Sequence, residues 1–309
     1  MLHIQTPLIQ SLSIAQNSDT KVWLKLENCQ PSGSFKVRGV GYACEYYIQH
    51  GAKQLYASSG GNAGLAVAYC GRKINIPVTI VVPKTTKQNA IELIEREGAK
   101  VVVHGDVWFD AHEYALSLVN DESAYIHPYD DPLLWQGHAS MIDEVIEQGV
   151  TPDAVLLSVG GGGLLLGVAK GLEENGLSDI PVFAVETVGA DALAQSMSLN
   201  KRISLDGISS IATSLGATQV AKSAFKLAQT ERVMAISVED ADTVDACYRF
   251  LNEHRMLVEP ACGASLSVAY HHKHNQLKHY RNILVIVCGG VGITSTQLDN
   301  WKKQCKFQN

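Results

Sequence analysis

Short runs of apolar, mostly β-branched residues alternate with longer amphipathic stretches along most of the chain. A strand that is buried on both faces carries such a continuous apolar run, whereas a covering helix is apolar on one side only. The alternation therefore predicts an α/β fold built on mostly parallel sheets. The predicted strands lie at 55–59, 78–83, 100–104, 124–128, 154–159, 182–187, 233–237 and 283–288. The predicted helices lie at 62–73, 86–98, 108–121, 134–149, 164–175, 218–229, 239–254 and 261–274.

The size of the chain indicates more than one domain. It has 309 residues, of which 46% are hydrophobic and 18% charged, a composition that excludes a disordered chain. Domains usually hold about 100–150 residues, so we expect about two of them. The strongest turn signal between the two series of strands is Tyr129-Asp130-Asp131-Pro132, which predicts a boundary near residue 129.

Charge, apolar runs and cysteines exclude several classes of protein. The chain has 25 Lys and Arg against 31 Asp and Glu, a net charge of −6, and the scattered basic residues argue against nucleic acid as a partner. The N-terminus lacks the pattern of an export signal, and no apolar run reaches the roughly 18 residues of a membrane span, so we expect a cytoplasmic protein without membrane contact. The seven cysteines include no C-x-x-C pair, which indicates free thiols rather than disulfides or a zinc site.

Four adjacent glycines, Gly160 to Gly163, stand between a predicted strand and a predicted helix. Ligands of open α/β sheets bind at the carboxyl ends of strands, and successive glycine N–H groups at a helix N-terminus can hold one anion. We therefore predict a phosphate site rather than a flexible turn, which needs only one or two glycines. A dinucleotide fingerprint needs a glycine at its sixth position, but the sixth residue counted from Gly160 or Gly161 is a leucine. A nucleotide-triphosphate loop needs Gly-Lys-Ser/Thr, which does not occur in the sequence.

A second junction between a strand and a helix carries Ser58-Ser59-Gly60-Gly61-Asn62-Ala63-Gly64. Its hydroxyls, its backbone N–H groups and the Asn62 amide suit a carboxylate at a helix N-terminus. The alternative is an ordinary helix cap by a Ser or Asn side chain. The segment by itself favours neither interpretation.

Pro31-Ser32-Gly33-Ser34-Phe35-Lys36 places a lysine after small, turn-forming residues and next to an aromatic ring. If Ser34 caps the following helix, Lys36 lies in its first turn, where the helix dipole disfavours a cation and lowers the pKa of the amine. Such a lysine can form an imine and act as a base, although most lysines are simply solvated charges.

Two further groups of residues have both a structural and a chemical interpretation. Cys288-Gly289-Gly290 ends the last apolar run, where a thiol is either a small core residue or a contact for the ring nitrogen of a ligand. Histidines cluster at His271, His272, His274 and His279. Histidines near a helix C-terminus usually interact with the helix dipole, so a metal site there is the weaker interpretation.

Together, PSGSFKVRG, SSGGNAG, SVGGGGLLLG and the CGG after an apolar strand resemble the pyridoxal 5′-phosphate enzymes of the tryptophan-synthase β-subunit fold. Within that group the chain is most similar, over nearly its full length, to the L-serine dehydratases that also act on threonine. HPYDDPLLWQGHAS, PVFAVETVGA and LVEPACGASL resemble further stretches of that family in the same order. The resemblance implies two open, twisted sheets, with a small domain at 39–129 inserted in a large domain at 1–38 and 130–309.

The resemblance also implies a role for each segment. Lys36 would hold the cofactor aldehyde as a Schiff base and remove the substrate α-proton, with Phe35 against the ring and Cys288 at the pyridine nitrogen. Asn62 would bind the ring hydroxyl. The phosphate would be bound by Gly160, Gly161, Gly162, Gly163 and Leu164, and the substrate carboxylate by Ser59, Gly60, Gly61 and Asn62. A monovalent cation, expected to be potassium, would be surrounded by Gly160, Glu186, Ala190, Leu215 and Ala217.

The implied reaction is the deamination of L-serine to pyruvate and of L-threonine to 2-oxobutyrate, each with release of ammonia, by a homodimer. A serine racemase is one alternative, but racemases tend to carry His where this sequence has Ala63. The other is a protein that binds the cofactor or an amino acid without catalysis. Liver-type serine dehydratases have Ala where this sequence has Gly60, which implies a less filled substrate loop. Because the chain ends soon after Cys288-Gly289-Gly290, we expect no appended regulatory domain.

Overall fold

The structure is a computed structural model that describes residues 1–14, 20–271 and 275–306. The chain forms two compact units. The first comprises Met1–Ile4 and Gln30–His138, and the second comprises Gln5–Cys29 and Ala139–Asn309. The predicted inserted segment, 39–129, falls within the first unit. Its limits as a domain stay a prediction.

Strands and helices alternate through the described residues, as the apolar pattern predicts. The ten strands there are β1 (Leu8–Ser11), β2 (Lys21–Lys25), β3 (Gln54–Ala57), β4 (Val78–Val82), β5 (Lys100–Val103), β6 (Ser123–Tyr125), β7 (Ala154–Ser158), β8 (Val182–Thr187), β9 (Val233–Val238) and β10 (Asn282–Ile286). The eleven α-helices there are α1 (Lys36–Gln49), α2 (Asn62–Ile74), α3 (Gln88–Arg96), α4 (Trp108–Ser117), α5 (Pro132–Glu147), α6 (Gly163–Glu174), α7 (Ala192–Ser198), α8 (Lys222–Ala228), α9 (Asp240–His254), α10 (Pro260–His271) and α11 (Ser295–Lys306).

The first unit contains a sheet of four parallel strands in the order β5-β4-β3-β6. All five residues of β4 are buried, which explains why its run of Val, Thr and Ile shows no polar alternation. The strands β3 and β6 end at the same edge of the sheet, because Tyr56 pairs with Tyr125. The loops that follow these two strands therefore begin next to each other.

The second unit contains a sheet of six strands in the order β1-β2-β10-β7-β8-β9. All neighbouring pairs are parallel except β1 and β2, which are antiparallel. The strands β7 and β8 are buried along their whole length and end side by side, with Ser158 paired to Val185. This edge carries the glycine loop that precedes α6.

The structure adds elements that the apolar pattern did not predict. The strands β1 and β2 are short and carry polar residues at buried places, including Lys25, whose ammonium pairs with Glu144 Oε2 at 2.6 Å. The helix α1 contains Gly39 and Gly41, residue types that weaken a helical pattern. A Cβ on Gly39 would lie 2.5 Å from the Leu134 carbonyl oxygen, so the close approach of α1 and α5 requires glycine there.

Two other helices were missed, and three predicted helices, at 86–98, 108–121 and 218–229, are shorter than expected. The helix α7 has only seven residues, and α11 is largely polar. The stretch predicted as helical at 218–229 forms a helix only over Lys222–Ala228. Within the ranges that the structure describes, no helix is both long enough and apolar enough to cross a bilayer.

Candidate active site

Lys36 is the first residue of α1, as the sequence predicts for the first helical turn. Its ammonium donates a hydrogen bond to the Pro128 carbonyl oxygen at 2.7 Å and lies 5.1 Å from the centroid of the Phe35 ring. The predicted cap by Ser34 is wrong, because Phe35 occupies the N-cap position and no side chain caps the helix. The backbone turns into the helix through Gly33, whose φ of 77° is the left-handed conformation that glycine adopts at little cost.

The segment from Ser59 to Gly61 forms the uncapped N-terminus of α2. Gly61 occupies the N-cap position without a capping side chain, which contradicts an ordinary Ser or Asn cap. Ser59 Oγ instead accepts a hydrogen bond from the Gly61 N–H at 3.2 Å. A Cβ on Gly64 would lie 1.7 Å from the Ser59 carbonyl oxygen, so the loop can pack on this helix only because Gly64 has no side chain. The N-terminus of this helix, with the positive end of the helix dipole, suits a bound carboxylate.

In the second unit, the glycine loop joins β7 to α6, as predicted. Gly162 is the N-cap residue with a φ of 96°, and no side chain caps the helix. The Gly161 carbonyl oxygen accepts a hydrogen bond from the Ala221 N–H at 2.9 Å, so the loop is attached to the residue that precedes α8. Because the first N–H groups of a helix have no intrahelical partner, this loop suits an anion such as phosphate.

Cys288 lies two residues beyond the end of β10 rather than within the predicted strand. Its side chain is buried. A hydrogen bond with the Cys262 thiol, followed by burial and by the nearby Glu259 carboxylate, raises the pKa of Cys288 well above its ordinary value. The Glu259 carboxylate is fixed in turn, because its Oε2 accepts a hydrogen bond from the Gly292 N–H at 3.3 Å. Cys288 is therefore a neutral thiol.

Glu186, near the end of β8, is fully buried. Its two carboxylate oxygens accept hydrogen bonds from the Leu193 and Ala194 N–H groups at 2.9 and 2.7 Å. Burial raises the pKa of Glu186 to about 8, although these two hydrogen bonds lower it. A buried carboxyl of this kind is suited to a cation that would compensate its charge.

The other residues that the family resemblance assigns to a cation fall into two groups. Ala190 lies in the turn after β8, where it pairs with Thr187. A Cβ on Gly160 would lie 3.1 Å from Leu215 Cα, and the Ala217 N–H donates to the Leu215 carbonyl oxygen at 2.7 Å.

The described residues contain no group of three or more His, Cys, Asp or Glu arranged for a metal. Of the histidine cluster, His272 and His274 lie outside the described residues.

Comparison with known proteins identifies the family. The family described as pyridoxal-phosphate dependent enzyme matches residues 1–289. The chain belongs to this family. It is 42% identical to the human L-serine dehydratase/L-threonine deaminase over 318 residues, which span all of this chain and 97% of that protein.

Solved structures agree with the fold. The fungal L-serine ammonia-lyase from Rhizomucor miehei is 35% identical, with a TM-score of 0.91 over 98% of this chain and 99% of that one. A maize serine racemase is more distant, at 25% identity and a TM-score of 0.88 over 99% of this chain and 94% of that one. The predicted family, its fold class and its pyridoxal phosphate cofactor are thereby confirmed.

The residues around Lys36 fit such a cofactor. The hydroxyl groups of Ser32 and Ser34 are buried, and neither has a hydrogen-bond partner among the described residues. A buried hydroxyl without a partner costs about 1–3 kcal/mol, so two such hydroxyls beside a lysine favour a polar ligand group that would pair with them. The glycine loop and the uncapped α6 suit a phosphate, and the Lys36 amine suits an aldehyde.

The sequence did not reveal His138, which belongs to α5 and is fully buried. Its ring centroid lies 4.9 Å from that of Phe35, and its Nδ1 accepts a hydrogen bond from the Gly39 N–H at 3.1 Å. Burial, aided by the Lys36 ammonium, lowers the pKa of His138 well below its ordinary value. His138 is thus a neutral support for Phe35. A single histidine within a helix carries no signal that could have indicated this role.

The sequence analysis also missed His127, in the loop after β6. His127 Nδ1 accepts hydrogen bonds from the Tyr129 and Asp130 N–H groups at 3.2 and 2.8 Å. Burial, with smaller contributions from His112 and Lys36, lowers the pKa of His127 to about 4. Its place just after a strand is a signal that could have indicated it, because ligands gather at the carboxyl ends of parallel strands.

Proposed function

We propose that this enzyme deaminates L-serine to pyruvate and ammonia, and L-threonine to 2-oxobutyrate and ammonia. The observation that supports it best is the uncapped N-terminus of α2 at Ser59–Gly61, which suits the carboxylate of an amino acid. The human relative is named for both L-serine and L-threonine, and the fungal relative is named for L-serine.

The site residues divide between them the binding of the cofactor and the binding of the substrate. Lys36 binds the cofactor aldehyde, with Phe35 against the ring, Asn62 at the ring hydroxyl and Cys288 at the pyridine nitrogen. The phosphate is bound by Gly160, Gly161, Gly162, Gly163 and Leu164. Ser59, Gly60, Gly61 and Asn62 hold the substrate carboxylate. When bound, pyridoxal phosphate supplies a conjugated ring that accepts the electron pair released at the α-carbon.

Proton transfer in the proposed reaction depends on the Lys36 amine. With the cofactor bound, Lys36 Nζ would take the α-proton, and the β-hydroxyl would leave with one proton, so that the α-proton and the hydroxyl are lost together as one water. The enamine that is set free takes up this water and yields the oxo acid and ammonia. The neutral Cys288 thiol places no negative charge at the pyridine nitrogen, which suits elimination better than reactions that need a long-lived carbanion.

The first experiment measures the products from each amino acid. We expect the purified holoenzyme to form pyruvate from L-serine and 2-oxobutyrate from L-threonine, each with one equivalent of ammonia. Chiral chromatography of the L-serine reaction detects any D-serine. D-serine as the main product would contradict the proposal in favour of a racemase, and no product from either amino acid would favour a protein that only binds.

Gly60 and Thr86 form a packed pair that offers a sharper test of the substrate loop. A Cβ on Gly60 would lie 2.5 Å from Thr86 Cγ2 and 3.0 Å from its Oγ1. Because overpacking costs about 1–3 kcal/mol, we expect Gly60→Ala to lower kcat/KM for L-serine about tenfold. Gly60→Ala/Thr86→Ala removes both close atoms and should recover most of the activity.

The matched control for that pair is Gly61→Ala in the same loop. Its added Cβ would meet only Ser59 Oγ, at 3.9 Å, so its melting temperature should stay at the wild-type value. Equal activity of Gly60→Ala and the double variant would contradict the proposed contact between the loop and Thr86.

We also propose that potassium occupies a site formed by Glu186 and by backbone carbonyls of Gly160, Ala190, Leu215 and Ala217. A bound ion stabilises the fold by about 2.7 kcal/mol when its concentration is 100 times its Kd. We expect potassium chloride, titrated against tetramethylammonium chloride at constant ionic strength, to raise the melting temperature. Glu186→Gln should abolish this increase, and an increase that survives in the variant would exclude Glu186 as a ligand.

Finally, we propose a cytoplasmic homodimer. The described cysteines are all free thiols, which supports a reducing compartment. Light scattering of the purified protein should give twice the mass of the 33.4 kDa chain. A mass of one chain at micromolar concentration would contradict the dimer.

A further inference from the structure

The Tyr125 hydroxyl joins two elements at the edge of the sheet in the first unit. It lies 2.5 Å from Ser58 Oγ and 2.7 Å from His112 Nδ1. Tyr125 is the last residue of β6, Ser58 directly follows β3, and His112 belongs to α4. One phenol therefore connects the start of the substrate loop to a helix more than 50 residues away in sequence.

The charges of these groups keep this connection intact at neutral pH. Burial raises the pKa of Tyr125 to about 12, although the hydrogen bond with Ser58 lowers it, so the phenol stays protonated. Burial lowers the pKa of His112, so its imidazole is neutral. Ser58 can donate to the Tyr125 hydroxyl while that hydroxyl donates to His112 Nδ1, or both hydrogen bonds can have the opposite direction. Either arrangement satisfies both hydrogen bonds.

His112 is itself held in place. Its ring stacks on Trp108, with centroids 4.8 Å apart and planes 18° apart, and meets His127 edge to face at 5.7 Å. Such aromatic pairs contribute more than their buried area alone. His112 therefore gives the Tyr125 hydroxyl a hydrogen-bond partner whose ring is held in place.

The other end of the connection is the buried beginning of the substrate loop. Ser58 has no exposed surface, and the next residues, Ser59 to Gly61, form the N-terminus of α2. The direction of the Ser58 side chain fixes the backbone from which these N–H groups project. Small shifts of such groups matter, because binding needs donors already aimed at the ligand.

We propose that Tyr125 is a positioning residue for the carboxylate of the amino-acid substrate. Held by His112, its hydroxyl fixes Ser58 and thereby orients the N–H groups of Ser59–Gly61. The inference deepens the proposed function and rests on its assignment of this loop to the substrate carboxylate. Tyr125 touches neither the carboxylate nor the reacting atoms in this role, so it acts on substrate affinity rather than on the chemical step.

The test uses Tyr125→Phe in the holoenzyme. We expect KM for L-serine to rise about fivefold, the effect of one typical hydrogen bond, with kcat changed less than about twofold. Ser58→Ala should give the same increase, and the double variant should add nothing to it, because both changes break one connection. Amide hydrogen exchange of a peptide covering 58–64 should be faster in all three variants.

The matched control is Tyr114→Phe. Tyr114 lies on the same helix as His112 and stacks on His104 at 4.1 Å, and its hydroxyl forms no hydrogen bond with another described residue. Its KM and its exchange at 58–64 should equal those of the wild type. An equal rise of KM in this control would overturn the inference.

Two further outcomes separate this inference from the proposed function. An unchanged KM and unchanged exchange in both Tyr125→Phe and Ser58→Ala, in a wild type that deaminates L-serine, would overturn the role of Tyr125 alone. If the wild type deaminates neither L-serine nor L-threonine, the proposed function fails. The exchange measurement still decides then whether Tyr125 holds the loop, and Ser58→Ala serves if Tyr125→Phe does not fold.

Discussion

Replacing Lys36 by alanine should abolish the release of ammonia from L-serine and remove the visible absorbance of the bound cofactor. Loss of a general base alone lowers a rate by about 10²–10⁴-fold, and here the covalent attachment is lost as well, so we expect a decrease of at least about 10³-fold. The change removes the contacts of the Lys36 ammonium with the Pro128 carbonyl oxygen and the Phe35 ring. Ammonia release and the absorption spectrum are the two measurements.

The control for this variant is Lys53→Ala in the same unit. The Lys53 side chain is exposed and pairs with Glu122 at the surface, where an ion pair contributes little to stability. We expect its activity and spectrum to match the wild type. Full activity of Lys36→Ala would contradict the assigned mechanism, whereas a normal spectrum without activity would separate cofactor binding from proton transfer.

Replacing Gly162 by alanine should weaken both the fold and the binding of the cofactor. The φ of 96° costs an L-residue about 1–2 kcal/mol, and the added Cβ would lie 2.4 Å from Ala224 Cβ, an overlap that costs about 1–3 kcal/mol more. We therefore expect the free energy of unfolding to fall by about 2–5 kcal/mol. Urea unfolding of the apoenzyme and titration with pyridoxal phosphate measure the two effects.

Gly176 lies just beyond the other end of α6, and Gly176→Ala measures the cost of the left-handed backbone conformation without an added steric contact. Its φ is 71°, but nothing lies within 4 Å of the Cβ it would gain. We expect this control to lose only about 1 kcal/mol and to keep its cofactor affinity. Equal losses in the two variants would show that the contact with Ala224 is unimportant, and an unchanged affinity in Gly162→Ala would remove the glycine loop from the phosphate site.

Much of the fold was predictable because its central strands are buried on both faces. The strand β8 is found at the predicted residues, and β7 differs by a single residue, since uninterrupted apolar runs leave little choice of register. The strands β1 and β2 were not predictable from the same signal. Lys25 is buried there through its ion pair with Glu144, a partner 119 residues away that no local pattern can indicate.

The candidate site divides in the same way. The glycine loop and Lys36 were predictable because each is part of a short run of consecutive residues, at the end of a strand or the start of a helix, whose types indicate the chemistry. His138 and Tyr125 were not, because their roles depend on contacts with Phe35 and Ser58 that only the fold creates. The cap predicted for Ser34 failed for a related reason, since its buried hydroxyl has no described partner and suits a bound group instead.

The packing of Gly60 against Thr86 also bears on how this enzyme can diverge. The two positions form an epistatic pair, in which the effect of one substitution depends on the residue at the other. A lineage that acquires alanine at position 60 first passes through a variant with this overlap, whereas one that first acquires a smaller residue at position 86 avoids it. The order of the two substitutions therefore decides whether an alanine-type substrate loop is accessible from this sequence.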